Sequence, residues 1–455
     1  MPLRSINPAT GQLVREYEET TPEEVARVLA ASAEAFESWR RSSFATRAVV
    51  LRRTAELLRE RTDALARLMA TEMGKPLGQG RGEVDKCARV CDHYAESAER
   101  YLAPEIASTD AAKSYVAFEP IGPVLAVMPW NFPLWQVFRF AAPALMAGNV
   151  GLLKHASNVC GCALAIEDVL HAAGLPRGAF RTLLVGSGRV SGLIEAKEVA
   201  AVTLTGSTPA GRDVAGKAGA CLKKTVLELG GSDAYVVLED ADLERAAETC
   251  ATARLVNSGQ SCIAGKRFIV VEPVLAEFER RFVLRMAARR MGDPFAEGVS
   301  VGPQARRDLR DEVHRQVQAS VAAGARVRLG CEVPPGPGAF YPPSVLGDVR
   351  PGMAAFDEEV FGPVAAVVPA RDERDAVRLA NLSSFGLGGA VFTEDRERGE
   401  RIARRELAVG ACFVNEFVRS DPRLPFGGVK QSGYGRELGA FGIREFVNVK
   451  SVWVA

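Results

Sequence analysis

Hydrophobic and polar positions along the chain predict a layer of helices first and a parallel sheet afterwards. A long stretch rich in Ala, Leu, Arg and Glu runs to about residue 101 and predicts helices, with breaks near residues 74–76 and at Gly78. We expect the first helix to start at Thr21, because Pro22 suits a first turn and Glu24 stands at the capping-box position.

From residue 115 onward, short apolar runs alternate with helical stretches. Strands alternating with helices of about 10–15 residues are typical of a parallel α/β sheet, which binds ligands at the carboxyl ends of its strands. The alternation restarts after residue 231, which predicts a second α/β domain. Strands are expected at residues 124–128, 150–153, 182–185, 201–205, 234–238, 268–271 and 445–454, and helices up to about 146, over about 158–173 and from 242.

Composition describes an ordinary globular chain of 455 residues, enough for two or three domains, with a net charge of +1. That balance provides no field to attract nucleic acid or an anionic membrane, and no apolar run reaches the roughly 18 residues that span a bilayer. The spacing of the nine cysteines suggests neither a disulfide framework nor a metal site. We therefore expect reduced thiols, a cytoplasmic location and no metal.

Four short motifs follow predicted strands or turns and carry candidate chemistry. The segment 205–211, with Gly206, Ser207 and Gly211, joins a strand to a helix whose free N–H groups would favour a phosphate, although an ordinary capped turn has the same pattern. Asn131 lies between two prolines at a strand end, where its amide could stabilise an oxyanion or simply form a turn.

The other two motifs supply a carboxylate and a thiol. Glu228 precedes Gly230 and Gly231 and could act as a general base, or be a solvated turn residue. Cys262 follows Gly-Gln-Ser, polar and turn-forming company that is unusual for a core cysteine, and could be a nucleophile. A lone cysteine is nevertheless more often a core residue than a nucleophile.

Taken together, an amide, a carboxylate and a thiol in this order resemble the aldehyde dehydrogenase superfamily over essentially the whole chain. The motifs that carry the resemblance are Pro129-Trp130-Asn131-Phe132-Pro133, Leu153-Lys154, Thr205-Gly206-Ser207, Glu228-Leu229-Gly230-Gly231, Gly259-Gln260-Ser261-Cys262, Glu358-Glu359-Val360-Phe361-Gly362-Pro363-Val364, the stretch from Asn381 to Gly388, and residues 425–433.

The resemblance implies a fold of three parts and a homodimer or homotetramer. A Rossmann-like NAD(P)-binding domain would comprise residues 1–101 and 121–230, and an α/β catalytic domain residues 231–430. Residues 102–120 and 431–455 would form a small β element for oligomerisation.

The resemblance also implies the roles of the site residues. Cys262 would attack the aldehyde, Asn131 and the Cys262 backbone N–H would hold the oxyanion, and Glu228 would activate the water that hydrolyses the thioester. The residues expected at the cofactor are Trp130, Lys154, Ser157, Gly206, Ser207, Gly211, Glu359 and Phe361.

Ser157 bears on the choice of cofactor. NAD-preferring members commonly carry a glutamate at this position, which would repel a 2′-phosphate. Ser157 does not, and Lys154 could pair with that phosphate. We therefore expect NADP to be preferred, with NAD also accepted.

The substrate expected from the succinate-semialdehyde branch is a small aldehyde with a distal carboxylate. Arg139 and Ser420 stand where that branch binds the carboxylate, and Trp135 could form a pocket wall or belong to the core. Glutarate semialdehyde or an aliphatic aldehyde remains an alternative. Val256 replaces a second arginine of some semialdehyde enzymes, and Ala264 replaces the cysteine of a redox switch.

A coenzyme A-acylating dehydrogenase and a binding protein without catalytic activity are further alternatives. Acylating enzymes usually lack a base at the Glu228 position, and proteins that have lost the chemistry usually lose the nucleophile. Glu228 and Cys262 are both present in this chain, so the residues favour a hydrolytic dehydrogenase.

Overall fold

Helices dominate the first hundred residues, as the apolar periodicity predicts. The computed structural model describes residues 2–455. The helices are α1 Pro22–Trp39, α2 Phe44–Glu60, α3 Thr62–Met73, α4 Leu77–Tyr101, α5 Trp135–Ala147, α6 Cys160–Ala172, α7 Val190–Glu195, α8 Thr208–Ala220, α9 Leu243–Leu255, α10 Glu272–Ala287, α11 Arg307–Ala322, α12 Ala354–Asp357, α13 Glu373–Asn381, α14 Arg396–Arg405 and α15 Gly439–Ile443.

The strands are mostly short. They are β1 Leu3–Ile6, β2 Leu13–Tyr17, β3 Glu105–Ile106, β4 Lys113–Pro120, β5 Pro123–Met128, β6 Val150–His155, β7 Phe180–Thr182, β8 Ala201–Thr205, β9 Lys224–Glu228, β10 Asp233–Val237, β11 Gly265–Val271, β12 Arg326–Leu329, β13 Ser344–Gly347, β14 Val364–Ala370, β15 Phe385–Gly386, β16 Gly388–Phe392, β17 Ala411–Val414, β18 Val429–Lys430, β19 Gly433–Tyr434 and β20 Val447–Val454.

Two largely parallel sheets form the two halves of the molecule. The first has the order β19-β9-β8-β5-β6-β7, and the second has the order β12-β13-β14-β11-β10-β16-β17. All pairings within them are parallel except those of β19 with β9 and β12 with β13. The α/β class with two sheets is therefore confirmed, while the domain boundaries given above stay a prediction.

A third, antiparallel sheet has the order β20-β4-β3 and joins the C-terminal strand to residues 113–120. The C-terminal strand is therefore confirmed as a structural element. Its role in oligomerisation stays a prediction. Among residues 2–455, no helix combines the length and apolar character that crossing a bilayer would require.

The capping box predicted at the start of α1 is confirmed. Thr21 accepts a hydrogen bond from the backbone N–H of Glu24, and the Glu24 carboxylate accepts one from the backbone N–H of Thr21. These two bonds satisfy N–H groups that the helix itself leaves free, so the chain turns into the helix at this residue.

Two predictions about elements are wrong. The strand expected at residues 182–185 is β7, which ends at Thr182, because the backbone of Leu184 turns away to exchange hydrogen bonds with Thr20. The helical layer does break at residues 74–76, but Gly78 lies inside α4. The intrahelical hydrogen bonds and packing of a long helix outweigh the roughly 1 kcal/mol that a glycine costs.

Candidate active site

A cavity of about 530 Å³ opens between α4, α5, α9 and the segment 417–420. It brings together one predicted nucleophile and all three predicted substrate residues, which lie up to 285 positions apart in the chain (420 − 135 = 285). Its lining includes Trp135, Arg139, Cys262 and Ser420, together with Lys86, Phe132, Arg289, Phe417, Arg419 and Phe426.

Cys262 sits at the end of a loop whose backbone is held in a rare conformation. Asn257 and Ser258 have φ values of 54° and 58°, a region that costs non-glycine residues of the order of 1–3 kcal/mol each. Hydrogen bonds from elsewhere hold the loop: Gln79 accepts from the Asn257 N–H at 2.7 Å, and the Gly302 N–H donates to the Ser258 hydroxyl at 2.8 Å. The surrounding structure thus fixes where the thiol points.

The same loop is tied to the predicted oxyanion residue. The Asn131 side-chain amide donates to the carbonyl of Gln260 at 3.1 Å, and the Asn131 carbonyl accepts from Asn257 at 2.6 Å and from Lys75 at 3.0 Å. An amide NH₂ group has two N–H donors, so one remains for a ligand oxygen. Asn131 is therefore a fixed donor beside the nucleophile loop.

The Cys262 thiol is protonated in the resting site. Burial raises the pKa of Cys262 to about 12, although the cations of Lys266 and Arg139 act to lower it. Lys266 also donates to the carbonyls of Ser261 and Cys262 at 2.8 and 2.5 Å. Little thiolate is present at neutral pH, so the predicted role of Cys262 as a nucleophile requires the thiol to lose its proton during the reaction.

Glu228 ends β9 and is 2% exposed, and neither of its carboxylate oxygens has a hydrogen-bond partner among residues 2–455. Burial raises the pKa of Glu228 well above its usual range, the nearby Glu437 raises it further, and the cations of Arg139 and Arg436 oppose the rise. Burial therefore favours the protonated form of this side chain. Entry of water, or a rotation of the side chain into a more polar environment, would favour the carboxylate form. The role of Glu228 as a base stays a prediction.

The predicted ligands of a nicotinamide ribose and ring lie next to one another. Trp130 and Phe361 pack edge to face, with ring centroids 5.8 Å apart. The Glu359 carboxylate accepts from the Gly231 N–H at 3.0 Å and lies 3.6 Å from the Lys266 ammonium. An added Cβ at Gly230 would overlap the same carboxylate, at 2.4 Å, so this glycine is needed for the approach.

Among the other predicted cofactor residues, Lys154 is the last but one residue of β6, and Ser157 follows on the surface. Burial lowers the pKa of Lys154. Among residues 2–455 no carboxylate oxygen lies within 4.0 Å of its ammonium, so the cation is available to an anionic group.

The βα turn contains Gly206, Ser207 and Gly211. The Gly206 N–H donates to the Glu228 carbonyl at 2.9 Å, and Ser207 caps α8 by accepting from the Ala210 N–H. An added Cβ at Gly211 would lie 2.6 Å from Leu229, so close packing of helix on strand explains this glycine. The cofactor contacts of these three residues stay a prediction.

The predicted substrate residues differ in the contacts that their polar groups make within the protein. Arg139 is 1% exposed, makes an ion-pair contact with Glu437 and donates to Thr205 at 3.3 Å. Ser420 instead accepts from Lys86 at 2.6 Å. The sequence analysis did not identify Lys86 as a residue of the cavity. Lys86 follows Gly78 by eight positions and Gly82 by four, and this spacing places all three residues on one face of α4.

Comparison with known proteins assigns the chain to a family. The model of the aldehyde dehydrogenase family matches residues 1–452. The chain belongs to the aldehyde dehydrogenase family. This membership confirms the resemblance drawn from the eight motifs.

Relatives within the aldehyde dehydrogenase family match over their full length. A probable succinate-semialdehyde dehydrogenase, NADP(+), of Synechocystis is 50% identical over 455 residues, covering 100% of both chains. Succinate-semialdehyde dehydrogenase, NADP(+), 1 of Mycobacterium tuberculosis is 50% identical over 458 residues, again covering 100% of both. The crystal structure of succinic semialdehyde dehydrogenase from Streptococcus pyogenes with NADP+ is 34% identical, covers 99% of both chains and superposes with a TM-score of 0.97.

Proposed function

We propose that this enzyme oxidises succinate semialdehyde to succinate with NADP+ as the hydride acceptor. The observation that carries the proposal is a single cavity that joins the Cys262 thiol to a lining of cationic side chains. A thiol suits attack on an aldehyde, and fixed cations suit a carboxylate at the other end of the substrate. The names of the full-length relatives support the same reaction.

The first step forms a bond between the Cys262 sulfur and the aldehyde carbon. The thiol releases its proton to solvent water as the carbon–sulfur bond forms, and the carbonyl oxygen becomes an oxyanion. The free N–H of the Asn131 amide and the Cys262 backbone N–H are the donors we assign to it. Each such donor lowers the barrier by about 3 kcal/mol when it is aimed at the developing charge.

Loss of a hydride then turns the thiohemiacetal into a thioester on Cys262. NADP+, when bound, supplies the acceptor for that hydride. Glu228 takes a proton from a water molecule, whose oxygen attacks the thioester carbon; the carbon–sulfur bond breaks, and succinate leaves. Glu228 acts on the water in its carboxylate form, and it returns the proton that it takes to the Cys262 sulfur when the carbon–sulfur bond breaks.

Residues at the cofactor site fit NADP+. Lys154 offers a cation without a carboxylate partner among residues 2–455, and Ser157 adds no negative charge beside it. Both features suit a 2′-phosphate. Glu359 and the Trp130–Phe361 pair provide a carboxylate for ribose hydroxyls and an aromatic wall for a planar ring.

Steady-state kcat/KM tests the proposal directly. We expect the wild type to prefer succinate semialdehyde over butyraldehyde by about 100-fold, since a charged hydrogen bond contributes roughly 1.5–3 kcal/mol. Added coenzyme A should not change the rate. Equal use of the two aldehydes would leave a general aldehyde dehydrogenase, and formation of an acyl-coenzyme A would establish the acylating alternative.

Two variants of Ser157, whose new side chains are equal in size, test the proposed preference for NADP over NAD. Ser157→Glu should shift preference from NADP toward NAD at least ten-fold, because its carboxylate repels the 2′-phosphate. Ser157→Gln is the neutral control and should shift it far less. A strong preference of the wild type for NAD would overturn this half of the proposal.

The oligomeric state and the cellular location of the enzyme are also proposals. We expect a homodimer or homotetramer, built through the sheet of β20, β4 and β3. We expect a cytoplasmic location, which agrees with nine cysteines that are all free thiols.

A further inference from the structure

A buried ion pair contacts the loop that carries Asn131. Lys75 lies in the break between α3 and α4, and Glu83 lies on α4; their charged groups are in contact, and the two side chains are 1% and 2% exposed. A pair removed from water in this way adds little net stability, because the loss of hydration of both charges offsets their attraction. The groups that the pair contacts indicate another role.

Lys75 holds the backbone of Asn131. Its ammonium donates to the Asn131 carbonyl at 3.0 Å, and its nitrogen lies 4.0 Å from the centre of the Phe132 ring. A fixed peptide limits the directions in which the side chain of the same residue can point. Burial lowers the pKa of Lys75, and the carboxylate of Glu83 opposes this, so Glu83 helps to keep the donor protonated.

Glu83 holds the other end of the same loop. One of its carboxylate oxygens accepts from the backbone N–H groups of Leu134 and Trp135, at 2.9 and 3.0 Å, while the other contacts Lys75. Leu134 precedes α5 and its side chain makes no capping hydrogen bond, so Glu83 satisfies N–H groups that the helix itself leaves free. The pair thereby connects the peptide of Asn131 to the start of α5.

The direction of the Asn131 side chain matters for the reaction. One N–H of its amide donates to the Gln260 carbonyl at 3.1 Å, and the other N–H is the donor that we assign to the oxyanion. Such a donor is effective only when it is aimed at the position where the charge develops, and a displacement of about 1 Å can cost about 100-fold in rate. A group that holds the Asn131 peptide therefore acts on the rate.

We propose that Lys75 and Glu83 are positioning residues, which together aim the Asn131 amide at the oxyanion of the reaction. The inference rests on the proposed function, in which Asn131 donates to that oxyanion, and it adds two residues that act through Asn131. The pair should therefore influence every step in which an oxyanion forms on the carbon attached to Cys262, and should have no influence on a reaction of the same thiol that forms none.

Two reagents separate these cases. With p-nitrophenyl acetate, the Cys262 sulfur attacks the ester carbon, the thiol proton goes to water, and the resulting oxyanion collapses to an acetyl thioester and p-nitrophenolate. With iodoacetamide, the same sulfur displaces iodide at a saturated carbon, and no oxyanion forms. A distorted loop or a shifted thiol pKa changes both rates, whereas a misaimed amide changes only the first. Cys262→Ser gives the background rate of the other thiols.

The main variant is Lys75→Met/Glu83→Gln. It removes both charges at once, because removing one alone leaves a buried charge without its partner and destabilises the fold. We expect acylation by p-nitrophenyl acetate to slow about ten-fold, with alkylation by iodoacetamide within about two-fold of the wild type. In the dehydrogenase reaction, kcat for succinate semialdehyde should fall by a similar factor, while KM for NADP changes less than about two-fold.

Two further variants complete the set. Glu83→Asp keeps both charges, which protects folding, and draws the carboxylate back by one methylene; it should slow acylation about three-fold and leave alkylation unchanged. Lys217→Met/Glu195→Gln is the matched control, since it makes the same two replacements in an ion pair, 3.0 Å long, whose members do not line the cavity. Both of its rates should equal those of the wild type.

Asn131→Ala shows whether the pair acts through Asn131. It should slow acylation about 100-fold, and adding Lys75→Met/Glu83→Gln should slow it no further, because no amide remains to be aimed.

The failure of the inference differs from the failure of the proposed function. If Asn131→Ala leaves acylation unchanged, the proposed role of Asn131 fails, and the inference fails with it. If Asn131→Ala slows acylation and the pair variants do not, the inference alone is overturned. It is also overturned if the pair variants slow alkylation as much as acylation, or slow acylation equally with and without Asn131.

Discussion

At the scale of single residues, Lys266 contacts both Cys262 and Glu359, the residue that we expect at the cofactor. Its ammonium, 1% exposed, donates to the carbonyl of Cys262 at 2.5 Å and lies 3.6 Å from the carboxylate of Glu359. The first contact orients the nucleophile, and the second reaches the residue that we expect at the cofactor ribose. One side chain thereby sets both the position of the thiol and part of the positive potential around it.

We expect Lys266→Gln to slow alkylation of Cys262 by iodoacetamide about three- to ten-fold at pH 8. The cation of Lys266 is the largest influence that lowers the pKa of Cys262 against burial, so removing it raises that pKa further. Labelling should be followed by mass spectrometry of the Cys262 peptide from pH 7 to 9. In both proteins the rate should rise nearly ten-fold per pH unit, because that range lies below the pKa.

Lys223→Gln provides the matched control. Lys223 also donates to two backbone carbonyls, those of Ile194 and Ala196 at 2.6 Å, but none of its contacts involves the cavity. Its variant should be labelled like the wild type. Unchanged labelling in Lys266→Gln, with the fold intact by circular dichroism, would show that Lys266 does not influence the thiol.

At the scale of elements, glycines on α4 have two separate uses. An added Cβ would meet nothing within 4 Å at Gly78 and Gly82, which lie on the helix face that lines the cavity. At Gly80 it would lie 3.1 Å from the Cβ and 3.2 Å from the Cα of Ala66 on α3. The first two glycines keep the cavity open, and the third allows two helices to approach closely.

We expect Gly82→Ala to raise the midpoint of thermal unfolding and Gly80→Ala to lower it. Alanine stabilises an open helical position by about 0.5–1 kcal/mol over glycine. At Gly80 the same methyl group must push α3 aside, and the cost of overpacking is about 1–3 kcal/mol. Scanning calorimetry of the pair compares one chemical change at two positions two residues apart; equal shifts in the same direction would contradict the assignment.

Elements with a strong local signal could be predicted from the sequence. The strands at 124–128, 150–153 and 201–205 correspond to β5, β6 and β8, because strands buried on both faces are continuous apolar runs. The apolar run at 182–185 is equally clear, yet only Thr182 of it pairs in the sheet. There a tertiary contact with Thr20, more than 160 residues away, decided the outcome.

At the scale of the whole molecule, the site depends on pairings that no local pattern contains. The nucleophile, the amide and the carboxylate were predicted because the family motifs mark them. The contacts of Lys86 with Ser420 and of Arg139 with Glu437 join residues about 300 or more positions apart, and neither partner carries a signal of the other. Their geometry therefore became visible only in the folded chain.

The sheet of β20, β4 and β3 has an exposed edge and an exposed apolar face. Within the described residues 2–455, β20 pairs on one side only, with β4. Val449 and Trp453 on one face of this strand are 62% and 57% exposed. A long unpaired strand with large apolar side chains invites association, and native proteins usually cover such edges. This surface is where we expect a second copy of the chain to bind.

Replacing both side chains, Val449→Lys and Trp453→Lys, should convert the oligomer that we expect into monomers. Two charges on this face would have to be buried in the interface, which costs several kcal/mol, enough to raise the dissociation constant more than 1,000-fold. Sedimentation velocity at micromolar concentration measures the change. Leu222→Lys is the control, since Leu222 is 95% exposed in the turn after α8 and should leave the assembly intact. A wild type that sediments as a monomer, or a double variant that remains assembled, would show that β20 is not the interface.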